Sequence, residues 1–272
     1  MHVHAGGSGA PALVFVHGFA CDATDWARQV EVLGERTTVV ACDLPSHGRS
    51  GPLEEPGSIR AFGAAVTRLI DELGFEDVVL VGHSMGCRVV LESARSAGDR
   101  VVGVVLVDGS RIGAGDPAPP TAAMATRLRG DGYRVFMRRF FEGMFVPTSD
   151  PALRSAVVDR ALRMPGQVGR PVLVDIVRWD AADAEAALDQ LRVPVLAVQT
   201  TTMDEQQERV PLPPDGQSAW IELLRGHVAD LRIATISDAG HFPHIEDADE
   251  VTALIAAFHD ELARGSRAAH LS

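Results

Sequence analysis

The chain has 272 residues, 46% hydrophobic and 23% charged, the balance of one large or two small globular domains rather than a disordered polymer. Thirty-seven acidic residues against 25 basic ones leave a formal charge of −12, which argues against nucleic acid or an anionic membrane as the main partner. No apolar run approaches the roughly 20 residues of a membrane helix. Met1 to Ala10 is Gly-rich and lacks the basic region and apolar core of a signal peptide, so a cytoplasmic location is expected. Cys21, Cys42 and Cys87 are an odd count without CxxC spacing, which suggests reduced thiols rather than a disulfide framework or a zinc site.

In chain order, apolar β-branched runs end in Gly, Pro or Asp. Ala12–Val16 leads into His17-Gly18, Thr37–Ala41 into Cys42-Asp43-Leu44-Pro45, and Asp77–Val81 into Gly82-His83-Ser84. Val101–Val107 leads into Asp108-Gly109, Pro194–Val198 into Gln199-Thr200, and Leu231–Ile236 into Ser237-Asp238. Continuous apolar runs of this length predict strands buried on both faces of a parallel sheet. Amphipathic stretches lie between them, such as Ile59–Leu73 with Ile59, Phe62, Val66, Leu69, Ile70 and Leu73 at helical spacing. The fold class is therefore α/β, a mostly parallel central sheet flanked by helices. The alternation breaks from Ser110 to Arg192, where a Pro/Gly-rich hinge (113–120) precedes helical patterns near Thr121–Arg129, Tyr133–Met144, Asp150–Arg163 and Val168–Trp179. Residues 1–110 and 193–272 are read as the core, and 111–192 as a helical lid inserted between two strands.

Gly82-His83-Ser84-Met85-Gly86 fits G-x-S-x-G, with a strand before it (Val78–Val81) and a helix after it (Arg88–Ala97). That setting is the one a nucleophile elbow requires: flanking glycines let strand and helix pack around a strained turn that lifts the hydroxyl. The helix N-terminus adds free N–H groups and partial positive charge toward a developing oxyanion. His17-Gly18-Phe19 ends the first long strand, so the backbone N–H groups of Phe19 and Met85 are the expected oxyanion donors.

The chain here resembles the α/β-hydrolase family, in its serine esterase and lactonase branch. The likeness is carried by 13–19, by Asp43-Leu44-Pro45-Ser46-His47-Gly48-Arg49-Ser50, by the Ser84 elbow, and by Ala239-Gly240-His241-Phe242-Pro243-His244. Ser46 stands where the family usually has Gly. With only 11 residues before the first long strand, the first strand or two of the family sheet is expected to be missing or vestigial. A serine needs a base of pKa near 7. His241 follows the last strand and matches the family base, with His244 as its rival. His83 is expected to point elsewhere, His17 to be structural, and His2 and His4 to lie inert in a loose terminus. The resemblance places the acid after either of two strands, so Asp108 is the first choice and Asp204 the alternative.

A Ser nucleophile, a His base and an oxyanion hole imply acyl transfer through an acyl-enzyme. The expected function is a carboxylic ester hydrolase, esterase or lactonase, acting through Ser84, His241 and Asp108 on a small hydrophobic substrate. Alternatives are a small-molecule receptor on the same scaffold, a cofactor-free haloperoxidase and a C–C bond hydrolase. No cofactor is implied, and His2-Val3-His4 lacks the further ligands of a metal site. In the lid, Phe136, Phe140, Phe141, Met144 and Phe145 form an aromatic stripe placed opposite Arg134, Arg138 and Arg139. This stripe either seats the lid or lines an acyl pocket; Trp179 and Trp220 are weaker pocket candidates.

Overall fold

Charge-free runs rich in Val and Leu offer no polar face to water, so they form strands covered on both sides. In the computed structural model, which describes residues 1–53, 55–204, 209–213 and 215–270, β2 (Ala12–Val16), β3 (Val39–Cys42) and β4 (Val78–His83) are buried along their whole length. With β1 (Val3–Gly6), β5 (Val101–Val107), β6 (Val195–Gln199) and β9 (Leu231–Thr235) they form a seven-stranded sheet in the order β1-β3-β2-β4-β5-β6-β9. Every neighbouring pair is parallel except β1 with β3.

The amino terminus corrects the expectation that His2 and His4 lie in a loose segment, since it holds β1, a four-residue strand at the sheet edge. Val3 pairs with Cys42 and Gly6 with Val39, the His2 amide donates to Ser50 Oγ at 2.8 Å, and the His2 ring lies 3.1 Å from the Asp43 carboxylate. A second, two-stranded hairpin of β7 (Thr201–Met203) and β8 (Arg209–Pro211) follows β6, in a stretch without a readable pattern.

The amphipathic segment forms α2 (Ile59–Leu73), started by Ser58, whose hydroxyl accepts the Ala61 amide, and stopped by Gly74 at φ 66°. Its expected apolar face is buried except at Leu73, which is 41% exposed in the last turn. Cys21, Cys42 and Cys87 are buried free thiols. Among the described residues no helix is long and apolar enough to cross a membrane.

Between β5 and β6 every regular element is a helix: α4 (Ala118–Arg127), α5 (Gly132–Glu142), α6 (Pro151–Leu162), α7 (Gly166–Ala182) and α8 (Ala184–Asp189). Two forked ion pairs are among the contacts that fasten these helices to the rest of the chain. Arg88, on α3 (Met85–Ala97), grips Asp180 of α7 through two bonds of 2.7 Å, and the Ile112 amide adds a third bond to the same carboxylate at 2.7 Å. Arg160 of α6 grips Asp25 in the same forked manner, both bonds 2.7 Å. Breaking a buried pair by removing one member typically costs about 3–5 kcal/mol, because the remaining charge is stranded.

Register decides where the chemistry collects. His83 lies beside Val107, Val107 beside Val198, and Gln199 beside Thr235. The residues that follow β4, β5, β6 and β9 therefore emerge side by side at the carboxyl edge, where ligands bind in open parallel sheets.

Candidate active site

Ser84 joins β4 to α3 at φ 54°, ψ −114°, a conformation that non-glycine residues rarely adopt and that costs of order 1–3 kcal/mol. The turn is held by the Ser84 amide, which donates to the Val107 carbonyl at 3.0 Å, and by Arg88 Nη1, which donates to the Ser84 carbonyl at 3.2 Å. The flanking glycines are there for space. A Cβ at Gly82 would sit 2.4 Å from the Gly86 carbonyl oxygen, and one at Gly86 would sit 2.4 Å from that of Val16. Gly18 is less tightly confined: a Cβ there would lie 3.0 Å from His83 Nδ1 and 3.3 Å from Ser84 Cβ. Phe19 and Met85 both line the cavity at Ser84, and Met85 is the first residue of α3, where an amide has no intrahelical acceptor.

His241, in the loop between β9 and α10 (Pro243–Glu246), brings Nε2 to 2.7 Å from Ser84 Oγ and Nδ1 to 2.6 Å from Asp108 Oδ2. Its peptide is clamped on both sides. The His241 amide donates to the Met144 carbonyl at 2.8 Å, and His83 Nε2 lies 2.6 Å from the His241 carbonyl oxygen. His83 thus points away from the serine and supports the loop instead. His244 packs its ring 4.3 Å from those of Trp26 and His83, away from Ser84 Oγ. His17 accepts the Leu44 amide on Nε2 at 3.0 Å, which leaves Nδ1–H to donate to the Gly18 carbonyl at 2.7 Å.

Asp108 receives more than His241. The amides of Thr200 and Thr201 donate to Oδ1 at 2.8 and 2.9 Å, and the Thr201 hydroxyl and Arg209 Nη1 donate to Oδ2 at 2.5 and 3.3 Å. Burial alone would raise this carboxyl, but the bond from His241 and the charges of His241 and Arg209 outweigh it and hold the pKa at about 2. Asp204, the alternative acid, follows β7 and is half-buried; the carboxylate bonded to His241 is that of Asp108. No sequence signal marks Arg209, which starts a three-residue strand and reaches a carboxylate 101 positions away.

The site faces a cavity of about 230 Å³. Phe136, Phe140, Phe141 and Met144 line it, whereas Phe145 stacks on Phe242 with centroids 5.4 Å apart. Arg139, expected on the opposite face, also lines the cavity, because it lies three residues after Phe136 and so shares its side of the helix. Neither tryptophan lines it: Trp179 Nε1 donates to Glu92 Oε1 at 2.6 Å, and Trp220 fills the space over Gly109. Among the described residues no group of three or more His, Cys, Asp or Glu side chains is placed to hold a metal ion.

Five buried histidines surround this edge, and burial is the first cause of a lowered pKa in each: about 3 for His17 and His244, about 4 for His241, and lower than usual for His47 and His83. Folded, they stay neutral; unfolded, each takes up a proton near its ordinary pKa of 6.5. Below that point the unfolded chain binds more protons, so stability is lost as pH falls from about 6.5 toward 4. The melting temperature is expected to drop steadily between about pH 7 and pH 5. Calorimetry giving the same midpoint at both would contradict the neutral, buried state of these rings.

The sequence model described as "Alpha/beta hydrolase family" matches residues 13–254. The chain is 30% identical over 258 residues to the dihydrolipoyllysine-residue acetyltransferase component of an acetoin cleaving system from Cupriavidus necator, covering 92% of this chain and 63% of that protein. The chain thus spans less than two thirds of that relative's length. Among solved structures it is similar to a thermophilic esterase from Thermogutta terrifontis, with a TM-score of 0.79, 23% identity, and 96% and 93% of the two chains covered. It is also similar to the enol-lactonase from Burkholderia xenovorans LB400, with a TM-score of 0.76, 23% identity, and 94% and 95% covered.

Proposed function

This chain belongs to the alpha/beta hydrolase family, and we propose that within it the protein is a serine hydrolase of carboxylic esters or lactones. The observation that carries this reading is the chain of short contacts from Asp108 Oδ2 to His241 Nδ1 at 2.6 Å and from His241 Nε2 to Ser84 Oγ at 2.7 Å, at the edge of a largely apolar cavity. With Nδ1–H donated to an ionised Asp108, the Nε2 lone pair faces the serine hydroxyl.

In the first half-reaction Ser84 Oγ bonds to the substrate carbonyl carbon while its proton passes to His241 Nε2. The tetrahedral oxyanion is met by the Phe19 and Met85 amides, each such donor being worth about 3–4 kcal/mol. The C–O bond to the alcohol then breaks, and the leaving oxygen takes the proton from His241. Water repeats the sequence on the acyl-enzyme: His241 takes its proton, the acid is released, and Ser84 recovers its hydrogen. Residues 111–192 serve as the lid over this chemistry, and their aromatic stripe forms the wall against the acyl group.

The test is labelling by a p-nitrophenyl alkylphosphonate, which should modify Ser84 once per chain and be slowed by p-nitrophenyl butyrate, itself a substrate. Because the base must be neutral, the labelling rate should rise with pH through the His241 pKa of about 4 and be flat at neutrality. Burial depresses that pKa first and the Arg209 cation second, so Arg209→Gln should move the acid limb upward. Label on another residue, or none on any, would overturn the assignment.

A further inference from the structure

We infer that the substrate of this site carries an ionised acid group, held by Arg127 and Arg139 at the rim of the cavity. The inference rests on the hydrolase reading and adds the class of ester to it. Four arginines line the cavity, Arg88, Arg127, Arg139 and Arg209, and among the described residues no Asp or Glu lines it with them. Two of the four are matched by buried carboxylates behind the wall: Arg88 by Asp180 and Arg209 by Asp108. The other two are not. Among the described residues neither Arg127 nor Arg139 forms an ion pair; Arg127 lies over the Phe136 ring at 4.9 Å from its centroid, and both residues are exposed as well as cavity-lining.

Exposure places these two cations where the cavity meets solvent; the Phe136 ring under Arg127 stacks in turn on Phe140, and both rings line the cavity. A guanidinium offers paired N–H donors that match a carboxylate. A wall that is apolar near the reacting serine and cationic at the rim fits an ester with a short carbon chain ending in an anion, as in a half-ester of a dicarboxylic acid. The cavity volume of about 230 Å³ keeps that chain short. The surroundings make this placement informative. The chain as a whole carries −12, yet 111–192 holds twelve arginines against ten acidic residues, so the cationic rim is a local reversal of the protein's field.

The experiment compares esters that differ only in the terminal group. On the acid side, mono-p-nitrophenyl glutarate is set against p-nitrophenyl pentanoate. On the alcohol side, the butyrate ester of 3-hydroxypropanoate is set against propyl butyrate. The charged member of one pair should show kcat/KM higher by about tenfold or more at low salt, the gap closing as ionic strength rises past the range where the screening length is about 10 Å. The pair that shows the gap identifies which half of the ester bears the anion. Replacing both residues (Arg127→Gln with Arg139→Gln) should bring the ratio to about one, and Arg127→Lys with Arg139→Lys should keep part of it.

Glutaramate and pentanamide, which differ only in the terminal carboxylate, are also titrated calorimetrically, a readout that needs no turnover. Tighter binding of glutaramate, lost in the double glutamine variant, supports the inference even if no ester is cleaved, in which case the hydrolase reading alone would fall. Equal kcat/KM within both pairs and equal binding of the two amides would overturn the inference while leaving ester hydrolysis standing.

Discussion

Ser84→Ala is expected to lower kcat for p-nitrophenyl butyrate by about 10⁶, and adding His241→Ala to cost almost nothing more. The two side chains share one proton across a 2.7 Å contact, so neither has a catalytic part to play alone. Without the hydroxyl, His241 has no nucleophile to activate. Without the imidazole, Ser84 keeps a proton that leaves only at a pH far above neutrality. What survives either loss is the pocket and the Phe19 and Met85 amides, which would still favour attack by water by roughly 10³–10⁴ over free solution. Steady-state rates of both single variants and the double variant check this. A further hundredfold fall in the double variant would mean that the residues act separately, and the contact between them would then need another explanation.

The two residues of that pair were readable because each sits in a short local pattern directly after a strand. Gly82 to Gly86 encodes its own strained turn, and Gly240-His241 follows the last strand, so the sheet alone brings them to one edge. The mostly parallel sheet likewise follows from buried runs alternating with amphipathic helices. The features that escaped are those set by contacts distant in sequence or by elements too short to show a period. Val3–Gly6 offers four residues, of which only Val3 is a strong strand former, and its pairing with β3 is visible only in space. Arg139 is expected opposite the aromatic stripe of α5, and it is both exposed and cavity-lining. The helical phase puts it beside Phe136, and on a cavity wall a cation can serve a ligand rather than water. Arg209 is the extreme case, since its role depends on where a hairpin lands.

Asp108→Asn is expected to lower kcat by about 10⁴ with little change in fold, and the reason lies in how thoroughly this carboxylate is surrounded by donors. Two amides converge on Oδ1, from Thr200 and Thr201, while His241, the Thr201 hydroxyl and Arg209 converge on Oδ2. An asparagine keeps one acceptor oxygen and turns the other position into a donor. The oxygen stays where the two fixed backbone amides point, so the NH₂ faces His241. The imidazole must then offer its Nδ1 lone pair and carry its proton on Nε2, where it donates to Ser84 and no longer removes the serine's proton. The same side chain explains why sequence left two acids open. Asp108 and Asp204 both lie beyond a strand end, and the choice was made by the chain direction after β6, which turns the Thr200 and Thr201 amides onto Asp108. Asp204→Asn should therefore leave kcat within a few-fold of the parent. The decisive measurement is the pair of kcat values together with the imidazole proton spectrum, which should lose its strongly downfield Nδ1–H resonance in Asp108→Asn alone. A loss of activity in Asp204→Asn as large as that in Asp108→Asn would move the acid's role away from β5.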